Sequence, residues 1–143
     1  MGCGMNILVV DDEPLIRIGL VSLVEEWGHE AFSAGNAAAA IAVLEANQSI
    51  ELIITDVDMP GTMDGIALAK YVAGRWPPVR LIVVSGKVAP ADGDLPEGAR
   101  FFSKPYHDQL IHSAIEEMRA FVEAASDDPS ESGPKEPGKL LIR

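Results

Sequence analysis

The chain has 143 residues, of which 48% are hydrophobic and 23% charged, and it carries a formal net charge of −11 at pH 7. That length suits one domain with its own core, and so acidic a surface repels the phosphates of DNA and RNA. No apolar run reaches the roughly 20 residues that a membrane-spanning helix needs, and the first residues lack a signal-peptide pattern. A single cysteine excludes an internal disulfide. We therefore expect a cytoplasmic protein that does not bind nucleic acid or membrane.

The first part of the chain alternates between apolar runs and helical patterns. Asn6–Val10 predicts a buried strand that ends at an acidic triplet, and Pro14 then opens a helix that Gly28 ends. Residues 29–34 predict a short strand, and Asn36 is a suitable N-cap for the Ala-rich helix that follows. This part of the chain therefore predicts two strands, each followed by a helix.

The second part continues the alternation. Leu52–Ile54 is an apolar run with two β-branched residues, which is typical of a strand buried on both faces in a parallel sheet. The strand ends at Asp56, and a loop with Pro60 and Gly61 follows. The remaining elements are expected to be a helix at about 66–76, strands at 80–84 and 99–102, and a last helix at about 107–125 with Leu110 and Ile111 among its inward-facing residues.

This order predicts an α/β fold. Strands alternating with helices across short loops favour a doubly wound, five-stranded parallel sheet of the flavodoxin-like type, with helices on both faces. We expect an N-terminal extension at 1–5, one domain at 6–125 and a disordered tail at 126–143, because the tail is polar and rich in Pro and Gly.

Polar side chains follow four of the predicted strands. Asp11 and Asp12 follow the first strand, Asp56 the third, Ser85 the fourth and Lys104 the fifth. Each residue alone is also typical of a turn or a helix cap. The carboxyl ends of parallel strands lie at one edge of the sheet, where such folds bind ligands. The set as a whole therefore predicts a functional site.

Over residues 6–125 the chain resembles the receiver domain of two-component response regulators, of the single-domain chemotaxis type. The resemblance implies a phosphoprotein of phosphorelay signal transduction, not an enzyme, that takes a phosphoryl group from a histidine kinase or phosphotransfer protein. The motifs that carry the resemblance are Asp11-Asp12, Asp56 in the run Asp-Val-Asp-Met-Pro-Gly, Asp64-Gly65, Ser85 and Lys104-Pro105.

The resemblance implies a Mg²⁺ site and a nucleophile. Asp56 would be the phosphoacceptor and form an acyl phosphate. Mg²⁺ would be held by Asp12 and Asp56 directly, by Asp11 through water, and by the main-chain carbonyl of Asp58. The ion would relieve the repulsion among three carboxylates in one pocket, and it prefers oxygen ligands.

The resemblance also assigns the remaining site residues. Lys104 and the Ser85 hydroxyl would contact phosphoryl oxygens, and the Lys104–Pro105 bond would be cis. Phe101 matches the switch aromatic that acts with Ser85, although a buried aromatic is also ordinary core packing.

The stretch 87–98 departs from the family, which has a fourth helix there. Pro90, Gly93 and Pro96 oppose a helix, so a short or irregular one is expected. Our hypothesis is a mobile loop over the site that phosphorylation orders through Ser85. Because no output domain follows residue 125, the signal is expected to leave through another protein, or the domain serves as a phosphate sink.

The pair Asp56 and Asp58 also resembles the Asp-x-Asp motif of haloacid dehalogenase-like phosphohydrolases, in which the second Asp is the general acid-base. The early position of the acidic pair and the lack of a cap insertion count against that alternative. His29, His107 and His112 show no metal-ligand spacing and are interpreted as solvated.

Overall fold

The structure is a computed structural model, and it describes residues 4–61, 63–86 and 94–126, with side chains as far as residue 120. As far as residue 85, strands and helices alternate along the chain as the sequence predicts, and a further strand and helix follow residue 99. The elements are β1 (Asn6–Val10), α1 (Pro14–Glu26), β2 (Glu30–Ala34), α2 (Ala37–Ala46), β3 (Leu52–Asp56), α3 (Gly65–Arg75), β4 (Arg80–Ser85), β5 (Arg100–Ser103) and α4 (Asp108–Ser126).

The five strands form one sheet in the order β2-β1-β3-β4-β5, and every neighbouring pair is parallel. This is the flavodoxin-like order, so the predicted fold class is confirmed. The chain leaves β1 towards one side and returns to β3 on the other side. Ligands in such folds bind where the strand order reverses, which in this sheet is the carboxyl end of β1 and β3.

The two faces of the sheet bury different helices. One face belongs to the core cluster that includes residues of α2 and α3, and it presents Leu8, Val10, Ile53, Leu81 and Val83. The alternate residues point to the opposite face and are almost fully buried: Ile7, Val9, Ile54 and Ile82. Right-handed crossovers bring α1 to that second face, where Leu20 and Val24 are its buried residues.

The helix starts follow local chemistry. Pro14 occupies the first turn of α1, but the preceding Glu13 makes no side-chain cap. Asn36 Oδ1 accepts a hydrogen bond from the Ala39 amide at 2.8 Å and caps α2, as predicted. Asp64 caps α3 in the same manner, at 2.9 Å from the Ala67 amide. Each capping side chain satisfies a backbone donor that the helix itself leaves unpaired.

The helix α4 belongs to a second compact unit that begins at Asp108. One stripe of the helix is buried, namely Ile111, Ala114, Ile115 and Met118. The prediction that Leu110 faces inward is wrong, because its side chain is 50% exposed. Its neighbour Ile111 already occupies the buried stripe, and adjacent helical residues point about 100° apart. Among the described residues, no helix is long and apolar enough to span a membrane.

Several predictions fall wholly or partly outside the described residues. Residues 87–93, the larger part of the irregular fourth-helix segment, are not described, and neither is 127–143. The described remainder, 94–98, contains bends and a turn but no helix. The hypothesis of a mobile loop over the site therefore stays a prediction.

The prediction that His29 is solvated is wrong. The side chain is only 7% exposed, and its Nδ1 accepts a hydrogen bond from the Met5 amide at 2.9 Å. The turn after α1 brings His29 against the start of β1, where the Glu30 amide also donates to the Met5 carbonyl. Met5 itself is 2% exposed. The histidine is thus a structural acceptor at the amino end of the sheet.

Candidate functional site

Three carboxylates meet at the carboxyl ends of β1 and β3. One oxygen from each of Asp11, Asp12 and Asp56 lies within 4.8 Å of the other two. Asp11 and Asp12 follow β1, and Asp56 ends β3, so the neighbouring positions of these strands bring the acids together. Asp11 and Asp56 are only 4% and 5% exposed.

Lys104 is the cation of this site. Its Nζ lies 3.2 Å from Asp56 Oδ1, although no aligned hydrogen bond reaches that buried oxygen from the described residues. The contact is an ion pair. Burial raises the pKa of Asp56, against the attraction of Lys104, which lowers it.

The neighbouring groups show the same electrostatic conflict. Burial raises the pKa of Asp11, and the hydrogen bond from the Glu13 amide at 2.9 Å opposes the rise. Burial alone would lower the pKa of Lys104, but the attraction of Asp56 and Asp11 outweighs it, so the pKa is raised. The lysine stays charged while the buried carboxyls resist ionisation.

The donor set fits a Mg²⁺ ion. Three carboxylates face one ammonium group, so the fully ionised site has two uncompensated negative charges, which is the charge that a dication neutralises. Every donor in the cluster is a carboxylate oxygen, the ligand type that Mg²⁺ prefers. The Asp56 oxygen without an aligned donor leaves a lone pair for such an ion. The main-chain carbonyl of Asp58 as a further ligand stays a prediction.

Ser85 lies beside this cluster with its hydroxyl engaged elsewhere. The side chain is 2% exposed, and its Oγ donates to Asp58 Oδ2 at 3.3 Å. Asp58 stands on the loop after β3 and is itself exposed. The structure thus places the predicted phosphoryl contact, Ser85, against the side chain of Asp58.

The end of β5 is tied to the end of β4. The Lys104 amide donates to the Ser85 carbonyl at 2.8 Å, and the Lys104–Pro105 peptide bond is cis. Phe101 pairs in register with Val83, two residues before Ser85, so all three side chains belong to one face of the sheet. Phe101 is half-buried and packs against the core cluster. Core packing therefore accounts for its position, and the switch role stays a prediction.

Sequence reasoning missed the contact of Arg17 and the reason for a glycine at position 65. Arg17, on α1, donates from Nη1 to the Asp11 carbonyl at 2.7 Å and so holds the acidic turn. The sequence signal for this contact is the position of Arg17 itself, a single cation in an apolar stretch five residues after the acidic pair. Gly65 begins α3, and a Cβ there would overlap the Asp56 carbonyl and lie 2.7 Å from Val57 Cα. Only glycine lets the helix start so close to the end of β3.

Comparison with known proteins identifies a family. The model of the response regulator receiver domain matches residues 7–116. The response regulator receiver protein CpdR of Brucella abortus is 33% identical over 116 residues, which cover 79% of this chain and 95% of CpdR. The sensor kinase CckA of the same organism is 28% identical over 79% of this chain, but the match covers only 12% of CckA.

Solved structures agree with the sequence comparison. The response regulator TrrA from Thermotoga maritima, solved in complex with Mg²⁺-BeF, has a TM-score of 0.72 and 25% sequence identity. The match covers 80% of this chain and 98% of TrrA. The similarity therefore extends over nearly all of a known structure of this type.

Proposed function

This chain belongs to the response regulator receiver domain family, and from that premise we propose that it is a phosphoacceptor in which Asp56 receives the phosphoryl group. The donor is the phosphohistidine of a histidine kinase or a phosphotransfer protein. The observation that carries the proposal is the buried Asp56 carboxylate, which has an oxygen without an aligned donor, beside a lysine and two further acids. The match to the receiver family over residues 7–116 supports this proposal over the haloacid dehalogenase alternative.

The chemistry is a transfer between two nucleophiles. An Asp56 oxygen attacks phosphorus, an O–P bond forms, and the N–P bond to the donor imidazole breaks, with a proton from solvent neutralising the leaving nitrogen. Lys104, held in the site by its ion pair, offsets the charge on the phosphoryl oxygens. Arg17 supports the acidic turn by holding the Asp11 carbonyl.

Asp11, Asp12 and Asp56 are the residues that would hold Mg²⁺. When bound, the ion supplies positive charge that neutralises the carboxylates and the incoming phosphoryl oxygens. The complex of TrrA with Mg²⁺-BeF supports this assignment by similarity. The buried carboxylates favour the ion for a further reason, since burial without it raises the pKa of Asp11 and Asp56.

The partners follow from the proposed chemistry. A histidine kinase or phosphotransfer protein supplies the phosphoryl group, and the presence of a similar receiver domain within the hybrid histidine kinase CckA supports a donor of that class. The proposed output is a change in binding to another protein.

Mass spectrometry of the intact protein tests the proposal. The chain is incubated with Mg²⁺ and acetyl phosphate, and we expect one phosphoryl group per chain that hydroxylamine removes. Asp56→Asn should take no label, whereas Asp108→Asn, an exposed acid outside the site, should label like the wild type. Full labelling of Asp56→Asn would contradict the assignment. Continuous release of phosphate from a panel of phosphoesters would instead indicate a phosphohydrolase.

A further inference from the structure

We propose that the Asp58 carboxylate is a positioning residue that holds the Ser85 hydroxyl away from the phosphoryl group and releases it when Asp56 is phosphorylated. The inference rests on the proposed phosphoacceptor function. It concerns the side chain of Asp58 and is independent of the metal contact expected of its main chain.

The contact is between a buried donor and an acceptor on the loop after β3. Ser85 ends β4 and is 2% exposed, and its Oγ lies 3.3 Å from Asp58 Oδ2. Asp58 is two residues beyond Asp56 in the chain, and Asp56 pairs in register with Val84, the residue before Ser85. Asp56, Asp58 and Ser85 therefore all lie at the carboxyl ends of the adjacent strands β3 and β4.

Asp58 and the phosphoryl group compete for the Ser85 hydroxyl proton. A serine hydroxyl has one proton to donate, so Ser85 cannot donate to Asp58 and to a phosphoryl oxygen at the same time. A phosphoryl group on Asp56 would bring up to two negative charges and three acceptor oxygens to the carboxyl ends of β3 and β4, where Ser85 lies. Donation from Ser85 to the phosphoryl group, which the proposed function expects, therefore requires the release of Asp58.

The hydrogen bond between Ser85 and Asp58 is weak enough for a phosphoryl group to replace it. An ionised acceptor strengthens a hydrogen bond, but 3.3 Å is longer than the usual 2.5–3.0 Å for a hydroxyl donor. The exposure of Asp58 to water weakens the bond further. We therefore expect the competition to reduce the contribution of Ser85 to phosphoryl binding by about tenfold, the lower end of values for a charged partner.

A double-mutant cycle measures this competition. Isothermal titration calorimetry gives the affinity for beryllofluoride, a phosphoryl analogue, with Mg²⁺ in the wild type, Ser85→Ala, Asp58→Ala and the double variant. Loss of a negative charge in Asp58→Ala should tighten binding whether or not Ser85 is present. Competition predicts a further effect. The loss of beryllofluoride affinity caused by Ser85→Ala should be about tenfold larger in the Asp58→Ala background than in the wild type. Equal penalties in the two backgrounds would overturn the inference.

Conservative variants and spectra separate positioning from a loss of structure. Ser85→Thr keeps the hydroxyl and should preserve the coupling. Asp58→Asn keeps an acceptor oxygen without the charge and should lie between the wild type and Asp58→Ala. The ¹³C resonance of the Asp58 carboxyl group in the unliganded protein should shift in Ser85→Ala, because the hydrogen bond from Ser85 is lost.

The experiment also distinguishes failure of the proposed function from failure of the role of Asp58. If the wild type takes no label at Asp56 and binds no beryllofluoride, the proposed function fails and this inference fails with it. If labelling and binding occur but the cycle is additive, only the role of Asp58 is wrong. A coupling of the predicted sign supports both.

Discussion

The two ends of the sheet differ in how their polar groups are paired. At the amino edge, which we define by Met5, Asn6, His29 and Glu51, donors meet acceptors: the Met5 amide is 2.9 Å from His29 Nδ1, and the Asn6 amide is 3.0 Å from Glu51 Oε1. At the carboxyl edge, the carboxyl ends of β1, β3, β4 and β5, buried acids crowd together and Asp56 Oδ1 lacks an aligned donor.

The difference separates stability from function. A satisfied hydrogen bond in a buried place stabilises the fold, and removal of one partner leaves the other unpaired. Buried carboxylates that repel one another are unfavourable until a cation or proton arrives. Substitutions should therefore destabilise the amino edge, whereas removal of a charge at the carboxyl edge should leave stability equal or higher and abolish function.

Gly65→Ala should give the largest loss of stability, and it tests whether the carboxyl edge also has strict packing requirements. The added methyl group would overlap the Asp56 carbonyl. We expect the free energy of unfolding to fall by about 3 kcal/mol in urea denaturation. Gly74→Ala is the matched control in the same helix, because nothing lies within 4 Å of its Cβ position. It should be neutral or slightly stabilising. Similar losses in both variants would mean that packing at Gly65 is not special.

Mg²⁺ should stabilise the protein through the carboxyl edge. An ion that binds only the folded state adds about 2.7 kcal/mol at a hundredfold excess over its Kd. Asp12→Ala removes one ligand of the cluster and should largely abolish the rise in melting temperature. Glu26→Ala removes an exposed acid at the end of α1 and should leave the response intact. An unchanged Mg²⁺ response in Asp12→Ala would contradict the metal site.

His29→Ala tests the amino edge. The substitution leaves the buried Met5 amide without its acceptor, so we expect a loss of about 2 kcal/mol in the free energy of unfolding and faster hydrogen exchange at Met5. Asn at position 29 offers an acceptor oxygen and should recover part of the loss. His107→Ala, at an exposed position, serves as the control. Equal stabilities for the two alanine variants would show that the Met5 contact contributes nothing.

The pH dependence of the metal-free protein should give the smallest effect. The pKa values of Asp11 and Asp56 are raised in the fold, so the native state binds more protons than the unfolded chain between the ordinary and the raised values. The contribution of these groups to stability must therefore decrease as pH rises through that window. Urea denaturation in EDTA across pH 4–8 measures it. The difference curve between Asp56→Asn and the wild type should rise with pH, and a flat difference would contradict the raised pKa of Asp56.

The sequence by itself determined the order of the elements and the polar residues that lie at the ends of the strands. Proline, glycine and asparagine mark the helix boundaries, and apolar runs that stop at Asp11, Asp56 and Ser85 mark the strands together with their polar ends. These are local signals, read within a few residues of each position. They were sufficient for the fold class and for the residues at the carboxyl edge, since parallel strands must bring their carboxyl ends together.

Only the tertiary structure decided which polar groups meet. The strand order places β1 beside β3, and so brings the acidic pair to Asp56. Contacts between residues far apart in the chain have no local signal: His29 accepts from an amide 24 residues away, and Ser85 donates to a carboxylate 27 residues away. Such contacts depend on register, helix placement and side-chain rotamers, which follow from packing the whole domain rather than from the pattern around either residue.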